Sequence, residues 1–278
     1  MRRAPAVFVV ALSILAALVL ARASSAVGPT LVALRNTMIS APGAEIGYVA
    51  RADGLSTRLQ ARVAGEVTRT LELPGRFGVQ LATFDGGLTG ITPDGRVLVL
   101  SDNVNPTGEL RSRSRFAVVD TTAMKLTRDI TLPGEFSVDA LSPNGRFLYL
   151  ISHVSHADFT KYQVRAYDLR AGRLLKGTIA DKRQSGWVMA GYPVTRAATT
   201  DGTWVYTLYR QDDNYPFVHA LDTVHRTAVC IGLPAKWNED SWISSARLEL
   251  SSGKLEVQTR AGDTRFVLDT ATFQLTTP

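Results

Sequence analysis

The sequence predicts an all-β protein built from about five repeated four-stranded units, and three observations predict it. The first is a recurring phrase. ITPDGRVLVLS (91–101), LSPNGRFLYLIS (141–152) and TTDGTWVYTLY (199–209) say nearly the same thing, and LSSGKLEVQT (250–259) is a degraded copy. The second is a pair of markers that keep one period. The turn glycines Gly95, Gly145, Gly202 and Gly253 lie 50, 57 and 51 residues apart, and the aspartates Asp120, Asp168, Asp222 and Asp269 lie 48, 54 and 47 apart. The third is that RFLYLIS and its equivalents are apolar at consecutive positions, the mark of strands covered on both faces.

Each unit resolves into four strands in order. A short strand ends at the Pro/Asp/Asn-Gly turn, where glycine supplies the positive φ that a tight hairpin needs. The doubly covered strand follows. A third strand closes on Asp-Thr or Asp-Leu, as in FAVVDTT (116–122) and VRAYDLR (164–170). A fourth runs to Leu-Pro-Gly in the first full copy. No amphipathic helix is legible after the N-terminal segment. Four-stranded sheets repeating every 50 residues or so are the signature of β-propeller blades, and stacked blades explain the double coverage. Residues 45–75 fit an eroded first blade ending in LELPG, which makes five blades over 45–278. Residues 27–44 are a linker or a ring-closing strand. Pairing of 28–44 with the C-terminal FQLTTP would add a sixth blade and remove two open sheet edges.

The N-terminus stands apart. MRR, the uncharged run APAVFVVALSILAALVLA (4–21) and the small residues of RASSA describe a secretory signal peptide over residues 1–26, cut after Ala23 or Ala26. The run is long enough that an uncleaved membrane anchor is the alternative. Removing Arg2, Arg3 and Arg22 from the 31 bases leaves 28 against 25 acids, so the folded part carries +3 and not +6. The expectation is a secreted or periplasmic monomer, with membrane contact only if residues 1–26 stay in place. Nucleic acid drops out as a partner. The single cysteine, Cys230, excludes an intramolecular disulfide and sits in the apolar run TAVCIGL as a core thiol. RSRSR (111–115) places three arginines on one face, either an anion contact or a charge-protected edge strand.

Chemistry is sparse. GxSxG, HExxH, a P-loop and GxGxxG are absent, and no cofactor or catalytic residue is assigned. His153, His156 and Asp158 are spaced to approach a metal but lack a further ligand, so a polar loop is the plainer reading. Asp212, Asp213 and Tyr215 fall in YRQDDNYPF, an oxygen-rich loop without the glycine and glutamate of a calcium loop. Trp187, Trp237 and Trp242 fall in loops, whereas Trp204 sits in a core strand. The turn aspartates recur in every copy and so belong to the turns.

The SPNGRFLYLIS and TPDGRVLVLS phrases resemble the SPDG strand pair of bacterial extracytoplasmic propellers. FAVVDTTAMKLTRDITLPG resembles the repeat of YVTN-type and WD-repeat-like propellers, although the Trp-Asp dipeptide is absent. The resemblance covers 45–278 and implies the fold; such propellers serve as scaffolds, ligand sensors, lactonases and quinone-cofactor enzymes alike. Up-and-down blades place the short turns on one face and the long, individual loops on the other. His153, His156, Asp158, Trp187, Asp212, Asp213, Tyr215, Trp237 and Trp242 therefore fall on the long-loop face, where a protein, glycan or small ligand would bind. The reading is an exported binding module, leaning away from an enzyme. A lactonase- or hydrolase-type enzyme with a metal near the central channel is the alternative.

Overall fold

The computed structural model describes residues 31–104, 110–155, 158, 160–183, 188–211, 215–235 and 241–278. Strand β1 (Ala33–Leu34) precedes the blades. Blade 1 is β2 (Met38–Ser40), β3 (Ile46–Asp53), β4 (Ser56–Val63) and β5 (Glu66–Leu73). In blade 2 the innermost position is shared by β6 (Val79–Leu81) and β7 (Leu88–Thr89), followed by β8 (Val97–Ser101), β9 (Arg113–Asp120) and β10 (Lys125–Pro133). Blade 3 is β11 (Phe136–Leu141), β12 (Phe147–His153), β13 (Lys161–Asp168) and β14 (Arg173–Leu174), with β15 (Met189–Ala190) also on β13. Blade 4 is β16 (Tyr192–Ala198), β17 (Trp204–Arg210), β18 (Phe217–Asp222) and β19 (Thr227–Gly232). A 3-10 turn at Ser241–Ser245 leads to blade 5: β20 (Arg247–Ser251), β21 (Lys254–Gln258), β22 (Thr264–Asp269) and β23 (Leu275–Thr276). The protein is an all-β propeller of five blades among its described residues.

The repeated phrase builds one turn three times. In blade 3 the Phe147 amide donates to Ser142 Oγ at 2.8 Å, the Gly145 amide to Ser142 O at 2.9 Å and the Arg146 amide to Asn144 Oδ1 at 3.0 Å. Thr92–Val97 and Thr199–Trp204 repeat these bonds. Gly145 and Gly202 have φ of 64° and 71°, and a Cβ on either would also strike blade 2, at Val97 Cγ2 (2.8 Å) from the adjoining blade 3 and at Pro93 Cγ (2.4 Å) from blade 4. The second turn leans on the first: Thr223 Oγ1 donates to Gly202 O at 2.6 Å and Thr270 Oγ1 to Gly253 O at 2.8 Å. The aspartates are structural. Asp168 and Asp222 each accept two backbone amides of their own turn at 2.8–2.9 Å.

Four apolar clusters join blades 1–2, 2–3, 3–4 and 4–5; among the described residues none joins blade 5 to blade 1. The burial pattern agrees. β12 and β17 are buried at consecutive positions, but β21 alternates because only one face of blade 5 is covered. Its other face is polar, with Gln258 Nε2 donating to Glu249 Oε2 and to Glu256 Oε2, both at 3.0 Å.

Three sequence expectations change. Blade 1 is complete and starts at Met38, not at 45, and the C-terminal Leu275–Thr276 strand pairs inside blade 5, so it does not meet residues 38–40. The RSRSR arginines are not on an edge: β9 lies between β8 and β10, Arg111 is locked to Asp102 and Glu135, and Arg115 is locked to Asp129. The inner strand of blade 2 is interrupted. Gly78 pairs with Ser101 and Ile91 pairs with Leu98, while residues 80–89 leave the blade as a hairpin. Its tip reaches a non-neighbouring blade, the Phe84 amide donating to Pro193 O at 3.0 Å and the Asp85 amide to Val194 O at 3.1 Å. A hairpin that links the inner strands of blades 2 and 4 must cross the space at the axis.

Candidate functional site

The contact between blades 3 and 4 differs from the others in its side chains. Blade 2 meets blade 3 through Val99, Phe116, Val118, Leu148 and Leu150, an almost wholly aliphatic and phenyl surface. Blade 3 meets blade 4 through Tyr149, Tyr162, Tyr209 and Cys230, with His219 buried among them. The Tyr149 hydroxyl donates to Thr223 O at 2.7 Å and so ties the two blades. Tyr209 stacks on Phe217 at 5.2 Å and packs against Tyr162 at 5.4 Å. Behind them, His219 Nδ1 lies 3.4 Å from Cys230 Sγ, and His219 Nε2 has no partner.

Of these, Tyr162 and Tyr209 line a recess of about 50 Å³, room for a few waters or for one small functional group. Register explains its position. Ser137 begins β11, His153 ends β12 opposite Tyr162 at the start of β13, Tyr192 begins β16 and Tyr209 is near the end of β17. All are long-loop ends of their strands, so the recess opens on the long-loop face. Ala82 of the crossing hairpin and Leu31 also line it.

Burial dominates the electrostatics around the recess. Burial pushes the Tyr162 hydroxyl well above the usual phenol range, and the Tyr209 hydroxyl beside it adds to the shift. Tyr209 is raised by burial and then by the Asp139 carboxylate. Burial lowers His219 to about 4, so the ring is neutral. The Cys230 thiol is raised to about 12, chiefly by burial, which makes it unreactive. Asp139, the one carboxylate in the lining, is held by Arg196: Nη2 donates to Oδ1 at 3.1 Å and Nη1 to Asp139 O at 2.9 Å. Among the described residues the Tyr162 hydroxyl is buried with no partner within hydrogen-bond distance, the Tyr209 hydroxyl lying near enough only to couple to it. A buried polar atom left unsatisfied costs about 1–3 kcal/mol, so a bound group that pairs with it gains on that account.

The sequence-predicted residues divide. His153 lines the recess. Asp158 does not; it accepts from the Thr160 amide at 3.0 Å and pairs with Lys161 at 3.5 Å, fixing the turn that sets Thr160 in the lining. Its carboxyl is held below the usual range, first by the Thr160 hydroxyl. Tyr215 is half-exposed ahead of β18 and is not among the lining residues. Trp242 packs on the blade 4–5 core, 6.3 Å from the Phe266 ring and beneath the Arg265 guanidinium. His156, Trp187, Asp212, Asp213 and Trp237 lie outside the described residues. Sequence reasoning missed Tyr162, Tyr192 and Tyr209. The signal was present, since SHVSHADFTKY, DKRQSGWVMAGYP and YRQDDNYP each place a tyrosine at or beside the end of a long loop. Among the described residues no group of three or more His, Cys, Asp or Glu is placed to hold a metal ion. No described helix is long and apolar enough to cross a membrane.

No protein-family profile matches the chain, and no curated protein matches it by sequence. Solved structures do. The beta-propeller domain of Cps50 (Swd1) from Myceliophteria thermophila is similar at 11% identity and a TM-score of 0.50, with 87% of this chain and 70% of that one covered. TolB from Acinetobacter baumannii is similar at 12% identity and a TM-score of 0.40, over 86% of this chain and 53% of that one. A prolyl endopeptidase is similar at 12% identity and a TM-score of 0.48, over 87% and 36%. What this chain shares with the first of these is the β-propeller fold.

Proposed function

We propose that the protein is an exported, monomeric β-propeller that binds a partner through its long-loop face, with the blade 3–4 recess as the seat of one uncharged, hydrogen-bonding group. The group belongs to a small ligand, or to a glycan or side chain presented by a larger one. The single observation that carries the reading is the Tyr162 hydroxyl, buried among the described residues with no partner within hydrogen-bond distance, in the wall of a recess at the long-loop ends of five strands. Two features set the chemistry. No lysine or arginine lines the recess, and its only carboxylate is already paired with Arg196, so neither a free anion nor a free cation finds a counter-charge there. A rigid repeating scaffold with individual loops on one face is also where binding usually resides. Export rests on the charge-free run at 4–21 and the small residues after it.

The test is a thermal-shift screen of alcohol-, phenol- and amide-bearing fragments. Stabilising fragments are expected for the wild type and are expected to lose their effect in Tyr162→Phe and Ser137→Val. Fragments that stabilise the wild type and Tyr162→Phe equally would sink the assignment of the recess.

A further inference from the structure

The opposite, short-turn face is not the plain paving its turns suggest. Between blades 2 and 3 it carries a groove of about 770 Å³ lined by Arg96, Arg128, Arg146 and Arg170, with Asp120 as the one carboxylate in the lining. Asp120 is occupied, its Oδ1 accepting the Ala123 amide at 2.9 Å. Arg146 is neutralised by Asp168 at 3.1 Å. The other three retain charge to offer. Arg96 is 77% exposed and its pair with Asp94 is long, at 3.8 Å and in solvent, while Arg170 makes no ion pair among the described residues. Arg128 is aimed across the groove, its Nη2 donating to Arg170 O at 3.2 Å.

The repeat explains why the charge gathers here. The residue after the turn glycine is arginine in blades 2 and 3 (Arg96, Arg146) but threonine in blade 4 (Thr203). The floor between the arginines is apolar, formed by half-buried Val97 with the largely buried Val118 and Leu169 beside it. We infer that this groove seats an acidic segment of a partner polypeptide, with carboxylates on Arg96, Arg128 and Arg170 and apolar side chains on the floor between them. Planar guanidinium forks match carboxylates two bonds at a time. A polyphosphate or sulfated glycan would satisfy the arginines but leave the apolar floor unused. The inference does not depend on the blade 3–4 recess.

The probe is a labelled twelve-residue peptide in which pairs of glutamates alternate with single leucines, followed by fluorescence anisotropy at low and high salt. Wild-type protein is expected to bind it, more weakly as salt rises. Reversal of both exposed charges in Arg96→Glu/Arg170→Glu is expected to weaken binding by roughly tenfold or more with the melting temperature unchanged. Arg170→Lys, which keeps the charge and loses the fork, should fall between. Val154→Ser on the other face, outside the recess, should bind as the wild type does. Equal affinity in wild type and double variant would overturn the inference. So would binding of inorganic polyphosphate by a protein that ignores the peptide.

Discussion

Two neighbouring seams of this propeller are built from the same repeat, yet they bury different chemistry. The seam between blades 2 and 3 buries Val99, Val118, Leu148 and Leu150 and leaves no unsatisfied polar side chain among its core residues. The seam between blades 3 and 4 buries three tyrosines, a histidine and a cysteine, and two of those polar atoms, Tyr162 Oη and His219 Nε2, have no partner. Burying unsatisfied polar atoms lowers stability, so a seam that keeps them where aliphatic residues would fit is the one to examine for binding.

The largest expected effect tests the aliphatic seam. Leu148→Ala removes a fully buried side chain between blades 2 and 3 and should lower unfolding stability by about 2–5 kcal/mol in urea titrations. A smaller loss would mean that this seam can collapse around a cavity.

The next effect separates the seams by pH. His219 is neutral when folded, with its pKa depressed to about 4, whereas in the unfolded chain it titrates near 6.5. Between those values the unfolded state holds more protons, so stability falls as pH is lowered through that window. The loss from pH 7 to pH 4 attributable to this ring is about 3 kcal/mol. His219→Gln should remove that slope while leaving the acid-induced loss that comes from carboxylates such as Asp181, whose pKa is held down to about 2, first by Arg183. An unaltered slope would show that the ring is protonated or solvated in the native state.

The smallest effect is a contrast within one seam. Tyr149→Phe deletes the bond to Thr223 O and should cost about 1 kcal/mol. Tyr162→Phe deletes a hydroxyl with no partner and should leave stability unchanged or slightly raised. If Tyr162→Phe proved as costly as Tyr149→Phe, the hydroxyl would have a protein partner and the recess would lose its reason to bind.

Much of this was legible in the chain, for a definite reason. Wherever a feature depends on neighbours a few residues apart, the repeat exposed it. Examples are the Ser142–Asn144–Gly145 turn, the paired Asp222–Thr223 turn and the alternation of short turns and long loops. His153 was placed at a long-loop end of its strand by the same logic. The tyrosines were not picked out, because a tyrosine beside a long loop looks the same whether its ring faces solvent, a neighbouring blade or a recess.

Sequence by itself determined the four-stranded unit, its order and its turns, since period and turn chemistry are local properties of the backbone, and left the count at five blades or six. Tertiary structure alone decided what those units meet. Arg196 finds Asp139 across 57 residues, and the tip of the 80–89 hairpin finds blade 4 across more than 100. Arg96 and Arg170 share one groove although they sit in different blades. A strand's two-residue period fixes which side chains leave the sheet, but not which sheet lies opposite. The polarity of each seam is therefore set only when the blades stack.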